Sequence, residues 1–268
     1  MNNRIKVSHE VPPVLLDLSK NFNDYDYMLP HLMDENEAYR DYFINAKKSG
    51  RYIVMDNSLH ELGHAYNTDR LLYWINEIKP DEFIVPDVWE EDYESVQNAR
   101  EWANIRLPEG VTKVAVVQAK TIFEAGECYK AYKQLGYEKI AFSYGASYYN
   151  DVCPHPNVYL GKALGRVQVL TTLFSTGTIQ DTDRVHLLGC ALPQEFGFYK
   201  GFKFIESIDT SNPVMAGLEG TIYGEHGLFK KPKLAIDATM DFTKDDLGGS
   251  LIDKIFFNTK KFRTLNHI

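Results

Sequence analysis

The segment Val114-Ala115-Val116-Val117, which Gln118 follows, decides the predicted fold. A near-continuous run of β-branched and small apolar residues is typical of a strand that a parallel sheet buries on both faces. A helical pattern comes next, at residues 122–135, and Gly136 ends it as a C-terminal glycine should. A second apolar run follows at residues 140–142. Strand, helix and strand in this order indicate a βαβ unit with parallel strands.

The same alternation extends in both directions along the chain. About eight apolar runs alternate with helical patterns over 268 residues, which favours an α/β fold of the (β/α)8 TIM type, with some irregularity, over an open doubly wound sheet. No G-x-G-x-x-G or Walker A segment follows any run, so the dinucleotide-binding and P-loop classes lack their motif. We expect one catalytic barrel domain over residues 1–268. Strands are predicted at residues 14–18, 52–55, 83–85, 114–117, 140–142, 185–188, 204–208 and 234–236, and helices at residues 36–48, 68–78, 93–103, 122–135 and 159–174.

The charge balance limits the partners. The formal net charge is −8 and the pI is near 5.5, whereas a surface that binds nucleic acid broadly is usually basic. Extensive non-specific binding to nucleic acid is therefore not expected. Basic residues do gather near the C-terminus, as a solvated tail or as a local phosphate-binding surface: Lys230, Lys231, Lys233, Lys254, Lys260, Lys261 and Arg263.

Cysteine usage and hydropathy predict the compartment. The three cysteines, Cys128, Cys153 and Cys190, are far apart, which fits a reducing environment better than a disulfide scaffold. Residues 1–13 lack the apolar core of a signal peptide, and no run approaches the ~20 apolar residues that span a bilayer. We expect a cytoplasmic protein with no membrane partner.

Polar residues follow most of the predicted strands, where a barrel places its catalytic groups at the start of each βα loop. Any single aspartate there could instead cap the next helix, because its side chain accepts backbone N–H groups. Several acids that meet at one end of a barrel favour a functional site over separate caps. The positions are Asp17, Asp56, Asp87, Gln118, Tyr144-Gly145, Gly189-Cys190 and Asp209.

The segment His60-Glu61-Leu62-Gly63-His64 matches the H-E-x-x-H pattern of zinc peptidases. In those enzymes a helix places both histidines on the metal and the glutamate activates a water molecule. Gly63 inside the motif is unfavourable for such a helix, and a later acid, Glu90 or Glu91, would have to supply the third ligand. Zinc peptidase is therefore the alternative hypothesis for function. In the competing interpretation, the segment is a polar βα loop whose histidines form hydrogen bonds or face a substrate.

Six strand-end segments stand in a fixed order along the chain: Val54-Met55-Asp56-Asn57-Ser58, Val85-Pro86-Asp87, Val116-Val117-Gln118, Phe142-Ser143-Tyr144-Gly145, His186-Leu187-Leu188-Gly189-Cys190-Ala191-Leu192-Pro193, and Asp209 followed by Pro213 and Gly220. In this order they resemble the queuine and archaeosine tRNA-guanine transglycosylase family and its relatives that act on DNA. The first is similar to that family's Asp-Ser-Gly-Gly segment, the third to its Val-Gln-Gly and the fifth to its Leu-Met-Gly-Val-Gly-x-Pro. The resemblance covers about residues 50–221.

The chain also departs from that family. The family's zinc-binding Cys-x-Cys-x-x-Cys…His segment is missing from the sequence, and Met215 and Leu218 stand at offsets where the family carries arginines that handle tRNA. Together with the acidic net charge, these departures favour DNA, or a nucleotide or nucleoside, over tRNA as the substrate. The resemblance points to a short, zinc-less relative, similar to the phage and bacterial enzymes that place 7-deazaguanines in DNA.

The resemblance implies base exchange at an N-glycosidic bond, in which a purine or 7-deazapurine base of the guanine type is inserted into DNA through a covalent aspartyl-glycosyl intermediate. It implies that Asp209 is the nucleophile, that Asp56 is the general acid/base and that Asp87 reads the N–H edge of the base, with no cofactor and no metal. A barrel that has lost catalysis and binds another subunit is a further alternative. The other expected contacts to the substrate are Gln118, Ser143, Tyr144, Gly145, Gly189, His60 and Glu61.

Overall fold

Eight parallel strands form a nearly closed barrel in the computed structural model, which describes residues 4–268. The strands are β1 (Lys6–Ser8), β2 (Asp26–Met28), β3 (Ile53–Met55), β4 (Glu82–Ile84), β5 (Thr112–Val117), β6 (Lys139–Phe142), β7 (Arg184–Leu187) and β8 (Ile205–Asp209). From β2 to β8 each strand pairs with the next one along the chain, and β1 pairs with β8. The predicted α/β barrel of the (β/α)8 TIM type is therefore confirmed.

Loop contacts complete the ring between β1 and β2, where the strands do not form a ladder. The backbone N–H of Asp24 donates to the carbonyl of Val7 at 2.8 Å, and the N–H of Val7 donates to Oδ2 of Asp24 at 2.9 Å. The N–H of His9 donates to Oδ1 of Asn23 at 2.7 Å. These bonds satisfy backbone groups that an open strand edge would leave without partners.

Helices alternate with the strands, and the longer ones agree with the apolar periodicity of the sequence. The helix predicted at residues 68–78 is confirmed, and the other four predicted helices agree within one residue at each end. Asn36 and Asn67 cap two of them by accepting backbone N–H groups of the first turn. The helices are α1 (Leu16–Ser19), α2 (Pro30–Glu35), α3 (Glu37–Lys48), α4 (Leu59–Leu62), α5 (Thr68–Ile78), α6 (Asp92–Asn104), α7 (Ile122–Gln134), α8 (Tyr148–Val152), α9 (Val158–Ser175), α10 (Asn212–Leu218) and α11 (Lys244–Asn266), with 3-10 turns at Pro13–Leu15, Pro193–Tyr199 and Asp237–Thr239.

The strand predicted at residues 14–18 is wrong. This segment forms the 3-10 turn Pro13–Leu15 and helix α1. Pro13 stands at the first position of the turn, where its fixed φ suits a helix start and its missing N–H would weaken a strand ladder. Asp17 consequently lies on α1, exposed and paired with Lys20, and not at a strand end.

The strand predicted at residues 234–236 is also wrong. The backbone N–H groups of Lys233 and Leu234 donate to Oε1 of Glu219, each at 2.5 Å, so they do not join a sheet. The segment belongs instead to the loop between α10 and the turn Asp237–Thr239.

Burial follows the pattern expected for a parallel barrel. Strands β3, β4 and β6 are buried at every position. Their buried residues include Glu82 and Lys139, whose Oε2 and Nζ lie 2.7 Å apart. The buried apolar side chains form one contiguous core. Among residues 4–268, no helix combines the length and the apolar character needed to cross a bilayer.

Candidate active site

A cavity of about 490 Å³ opens at the carboxyl ends of the strands, where the βα loops begin. Its size is in the range of sites for small molecules, and its position is the one at which TIM barrels carry their catalytic groups. Gly145 does not line it but is adjacent to the lining residue Trp89. The other predicted site residues all line it: Asp56, His60, Glu61, Asp87, Gln118, Ser143, Tyr144, Gly189 and Asp209.

Asp87 is held by two amide side chains from neighbouring loops. Nδ2 of Asn57 lies 2.7 Å from Oδ1 of Asp87, and Nε2 of Gln118 lies 2.7 Å from Oδ2. Burial raises the pKa of Asp87 to about 7, in spite of these two hydrogen bonds, and the charge of Asp56 adds to the rise. The carboxyl group therefore has a fixed direction and an ionisation close to neutral pH.

Asp209, the last residue of β8, is surrounded by hydrogen-bond donors. Its Oδ1 lies 2.8 Å from Nε2 of His186, and its Oδ2 lies 3.4 Å from the backbone nitrogen of Gly189. Burial, followed by the charge of Asp56, raises the pKa of Asp209 to about 7, while hydrogen bonds from Glu10 and Gly189 oppose the rise. The ionised form of Asp209 is thus accessible near neutral pH in a buried position.

Glu10 and Asp56 complete a group of three carboxyls with Asp209. Burial is the largest cause of a pKa of Glu10 well above its ordinary value, and the charges of Asp209 and Asp56 add to it. Burial also raises the pKa of Asp56, against hydrogen bonds from backbone N–H groups and from Tyr27. Burial and the nearby negative charge thus favour the protonated forms of Glu10 and Asp56.

The segment His60-Glu61-Leu62-Gly63-His64 does not form the helix that a zinc peptidase needs. Helix α4 ends at Leu62, the C-terminal Gly63 has φ of 75°, and His64 lies exposed beyond it. Among residues 4–268, no group of three or more His, Cys, Asp and Glu side chains is arranged to hold a metal ion. The peptidase hypothesis therefore lacks its pair of helical ligands.

Glu61, from the same segment, lines the cavity. Burial raises the pKa of Glu61 to about 9, and the charges of Asp56 and Glu10 add to the rise. Its Oε2 is buried and has no hydrogen-bond partner within the part of the chain that the structure describes. Glu61 is therefore a buried carboxyl whose protonated form is favoured at neutral pH.

Tyr144 forms a wall of the cavity together with Lys231 from the loop after α10. Nζ of Lys231 donates to the Tyr144 hydroxyl at 2.6 Å, and Nε2 of His60 lies 3.3 Å from the same hydroxyl. The Tyr144 ring packs against Gly189, whose φ is 55° and where an added Cβ would overlap the ring. Both the backbone conformation and the close approach require glycine at this position.

Several lining residues were not predicted for the site, among them Glu10, Tyr27 and Lys231. Glu10 and Tyr27 depend on β1 and β2, each only three residues long, which the sequence pattern does not mark. The polar residues that follow Val7 repeat the strand-end pattern seen elsewhere and could have indicated Glu10. Lys231 appeared only as part of the basic cluster near the C-terminus.

No protein-family model matches the chain, and no curated protein matches it either. The resemblance to the tRNA-guanine transglycosylase family therefore stays a prediction, based on the order of the strand-end motifs.

Proposed function

We propose that the chain is a transglycosylase-like enzyme that exchanges a guanine-type base at an N-glycosidic bond, with insertion of a 7-deazaguanine into DNA favoured over tRNA. The observation that carries this proposal is that Asp56, Asp87 and Asp209, from three different strand ends, line one cavity together with Gln118. These are the four residues to which the family resemblance gives the nucleophile, the acid/base and the recognition of the base.

In the first step, the carboxylate of Asp209 attacks C1′ of the sugar while the bond between C1′ and the ring nitrogen of the base breaks. The bonding electrons leave with the base, and a proton from Asp56 neutralises them. The sugar is then an ester of Asp209, as in retaining glycosidases. In the second step Asp56 takes the proton from the ring nitrogen of the incoming base, which attacks C1′ and releases Asp209.

The two carboxyls share a buried environment but differ in their hydrogen-bond donors. Burial raises the pKa of Asp56, which favours its protonated form as an acid toward the leaving base. Asp209 faces donors from His186, Gly189 and Glu10, which favour the ionised form that a nucleophile needs. Because burial also raises the pKa of Asp209, to about 7, the assignment of the acid to Asp56 and of the nucleophile to Asp209 rests on the family resemblance and on these donors.

Recognition of the base is assigned to Asp87. A guanine-type base presents a ring N–H next to an exocyclic amine, and a carboxylate is an acceptor with two oxygens that suits this pair of donors. The lysines that line the cavity, Lys231 and Lys233, are placed to approach a phosphate of a nucleotide. With duplex DNA, the target nucleotide would have to leave the base stack to enter the site.

Incubation with an isotope-labelled 7-deazaguanine and, in parallel, DNA, tRNA or a free nucleoside tests the proposal. We expect label in DNA, and a protein–sugar adduct that survives denaturation and maps to Asp209 by mass spectrometry. Asp209→Asn should abolish both. Asp17→Asn, which changes an exposed carboxylate on α1, is the matched control and should leave both unchanged.

Incorporation of label by Asp209→Asn at the wild-type rate would contradict the proposal. A chain that takes up no label but binds another protein, with Asp56→Ala and Asp209→Ala equally competent, would support the non-catalytic alternative. Zinc-dependent cleavage of peptides that is lost in His60→Ala would support the peptidase.

A further inference from the structure

We propose that His186 is a positioning residue, which holds the Asp209 carboxylate by donating a hydrogen bond from Nε2–H, and that Ser207 and Lys139 fix this tautomer of His186. The proposal rests on the proposed function, because it assigns a purpose to the direction in which Asp209 points. It concerns three buried polar side chains that do not line the cavity, Lys139, Ser207 and His186, and that connect to Asp209, which does.

The four side chains form an unbroken series of short contacts. Nζ of Lys139 lies 2.8 Å from Oγ of Ser207, and Oγ of Ser207 lies 2.9 Å from Nδ1 of His186. Nε2 of His186 lies 2.8 Å from Oδ1 of Asp209. Lys139, Ser207 and His186 are each at most 2% exposed, so water does not compete for these bonds.

The direction of each hydrogen bond follows from the chemistry of the groups. The Lys139 ammonium has donors only, so Oγ of Ser207 accepts from it. Ser207 then has one proton to donate, and Nδ1 of His186 is the acceptor in reach. The proton of a neutral imidazole is therefore on Nε2, which faces Asp209.

The surroundings of His186 favour the neutral ring. Burial lowers the pKa of His186 to about 3, and the charges of Lys139 and Arg166 lower it further, against Glu82 and Glu206, which raise it. The Lys139 ammonium is itself balanced by Glu82, whose two carboxylate oxygens lie 2.8 and 2.7 Å from Nζ. The Tyr27 ring stacks on the imidazole with 13° between the planes, and Asp209 is the carboxylate in direct contact with it.

A neutral Nε2–H donor has a specific effect on a nucleophile. It fixes one oxygen of Asp209 and favours the carboxylate over the acid, without forming the ion pair that a charged histidine would form. The other oxygen, Oδ2, has a longer contact, 3.4 Å to the Gly189 nitrogen, and we assign the attack on C1′ to it.

Two measurements test the proposal. The first is the ¹⁵N chemical shifts of the His186 imidazole in the wild-type protein, which report the tautomer without any need for activity. We expect a protonated Nε2 and an unprotonated Nδ1 across neutral pH, and a shift of proton density to Nδ1 in Ser207→Ala but not in Ser207→Thr, which keeps the hydroxyl.

The second is base exchange by His186→Leu and His186→Gln. We expect His186→Leu to lower kcat about 10- to 100-fold with little change in KM, and to move the acidic limb of the pH profile to higher pH, because a hydrogen bond to a charged group is lost. His186→Gln, whose amide nitrogen reaches a similar place, should recover most of kcat and the original limb. If His186→Leu does not fold, the ¹⁵N shifts of the wild-type protein and of Ser207→Ala still test the proposal.

A protonated Nδ1, or an imidazolium at neutral pH, would overturn the proposal. The proposal would also be overturned if His186→Leu kept the wild-type kcat and pH profile while Asp209→Asn was inactive. In that case the proposed function would stand. If the ¹⁵N shifts show the expected tautomer but the wild-type protein does not exchange bases, the hydrogen-bond series is correct and the proposed function is wrong.

Discussion

Gln118 connects Asp87 to the backbone of the preceding loop: its Nε2 lies 2.7 Å from Oδ2 of Asp87, and its Oε1 accepts the backbone N–H of Glu90 at 3.0 Å. Both ends of the amide are thus engaged within the protein, and the side chain is 1% exposed. Gln118 therefore orients Asp87, and its predicted contact to the base stays a prediction.

The first prediction concerns this orientation. Gln118→Met keeps the length of the side chain but removes one of the two amide donors to Asp87. We expect the Kd for a guanine-type base, measured by calorimetry, to rise about 10- to 100-fold, because a hydrogen bond to a charged group contributes ~1.5–3 kcal/mol. Gln168→Met on the exposed side of α9 is the control and should bind like the wild type. Equal affinity in both variants would show that Asp87 needs no help from Gln118.

The second prediction is the pH dependence of base exchange. Asp209 and Asp87 have pKa values of about 7, and both must be ionised, the first to attack C1′ and the second to accept N–H groups. Below that pH the ionised fraction of each group falls about tenfold per pH unit. The value of kcat/KM should therefore rise with pH up to about 7, and fall again at higher pH as Asp56, the acid toward the leaving base, loses its proton. A rate that is already maximal at pH 5 would exclude these carboxylates from the rate-limiting step.

The third prediction is a gain of stability in Glu61→Gln. The pKa of Glu61 is about 9 in the folded chain and near its ordinary value of 4.5 when unfolded, so the folded state binds more protons between these values. Stability from this group is present in full below the lower value and is lost as the pH rises through the upper one. Glu61→Gln should accordingly raise Tm little at pH 5 and by several degrees at pH 9. The exposed Glu225→Gln should show no such difference, and a lower Tm of Glu61→Gln at pH 9 would contradict the burial of Glu61.

The fourth prediction separates backbone strain from contact at Gly189. Gly189→Ala and Gly177→Ala both place a Cβ on a backbone with positive φ, 55° and 74° respectively, which costs about 1 kcal/mol in either case. Only at Gly189 does the Cβ also overlap the Tyr144 ring, whereas nothing lies within 4 Å at Gly177. We expect Gly189→Ala to lower Tm more than Gly177→Ala, because the overlap adds to the backbone cost, and to lose base exchange, which Gly177→Ala keeps. Equal activity in the two would mean that the packing of Tyr144 on Gly189 is dispensable.

The apolar periodicity of the sequence was sufficient to predict most strands and helices of the barrel, but not the first two strands. Residues 114–117 and the helix Thr68–Ile78 carry patterns whose period matches their structure, so their positions could be predicted. Lys6–Ser8 and Asp26–Met28 contain too few apolar residues to show a period, and the stronger apolar run at residues 14–18 lies in a helical segment that Pro13 begins. In this region backbone constraints decide the structure, and hydrophobicity does not.

The same limit applies to the candidate site. Residues that directly follow well-marked strands, such as Asp56, Asp87 and Gln118, were placed in the cavity from the sequence. Glu10 was not predicted to lie in the cavity, because β1 was not recognised in the sequence. Asp17 was wrongly predicted at a strand end, because residues 14–18 were assigned to the first strand in place of β1. The pairing of His186 with Asp209 depends on the register between β7 and β8, which contains an irregularity at His186 that no sequence pattern reveals.

The pairing of β1 with β8 sets Ser8 beside Asp209 and thereby brings Glu10 to that carboxylate. During translation, β1 leaves the ribosome first among the strands and its partner leaves last, so Glu10 spends most of synthesis without its neighbour. Nascent chains that stop before β8 contain most of the barrel but lack Asp209, so the group of three carboxyls forms only when the two ends of the sheet meet.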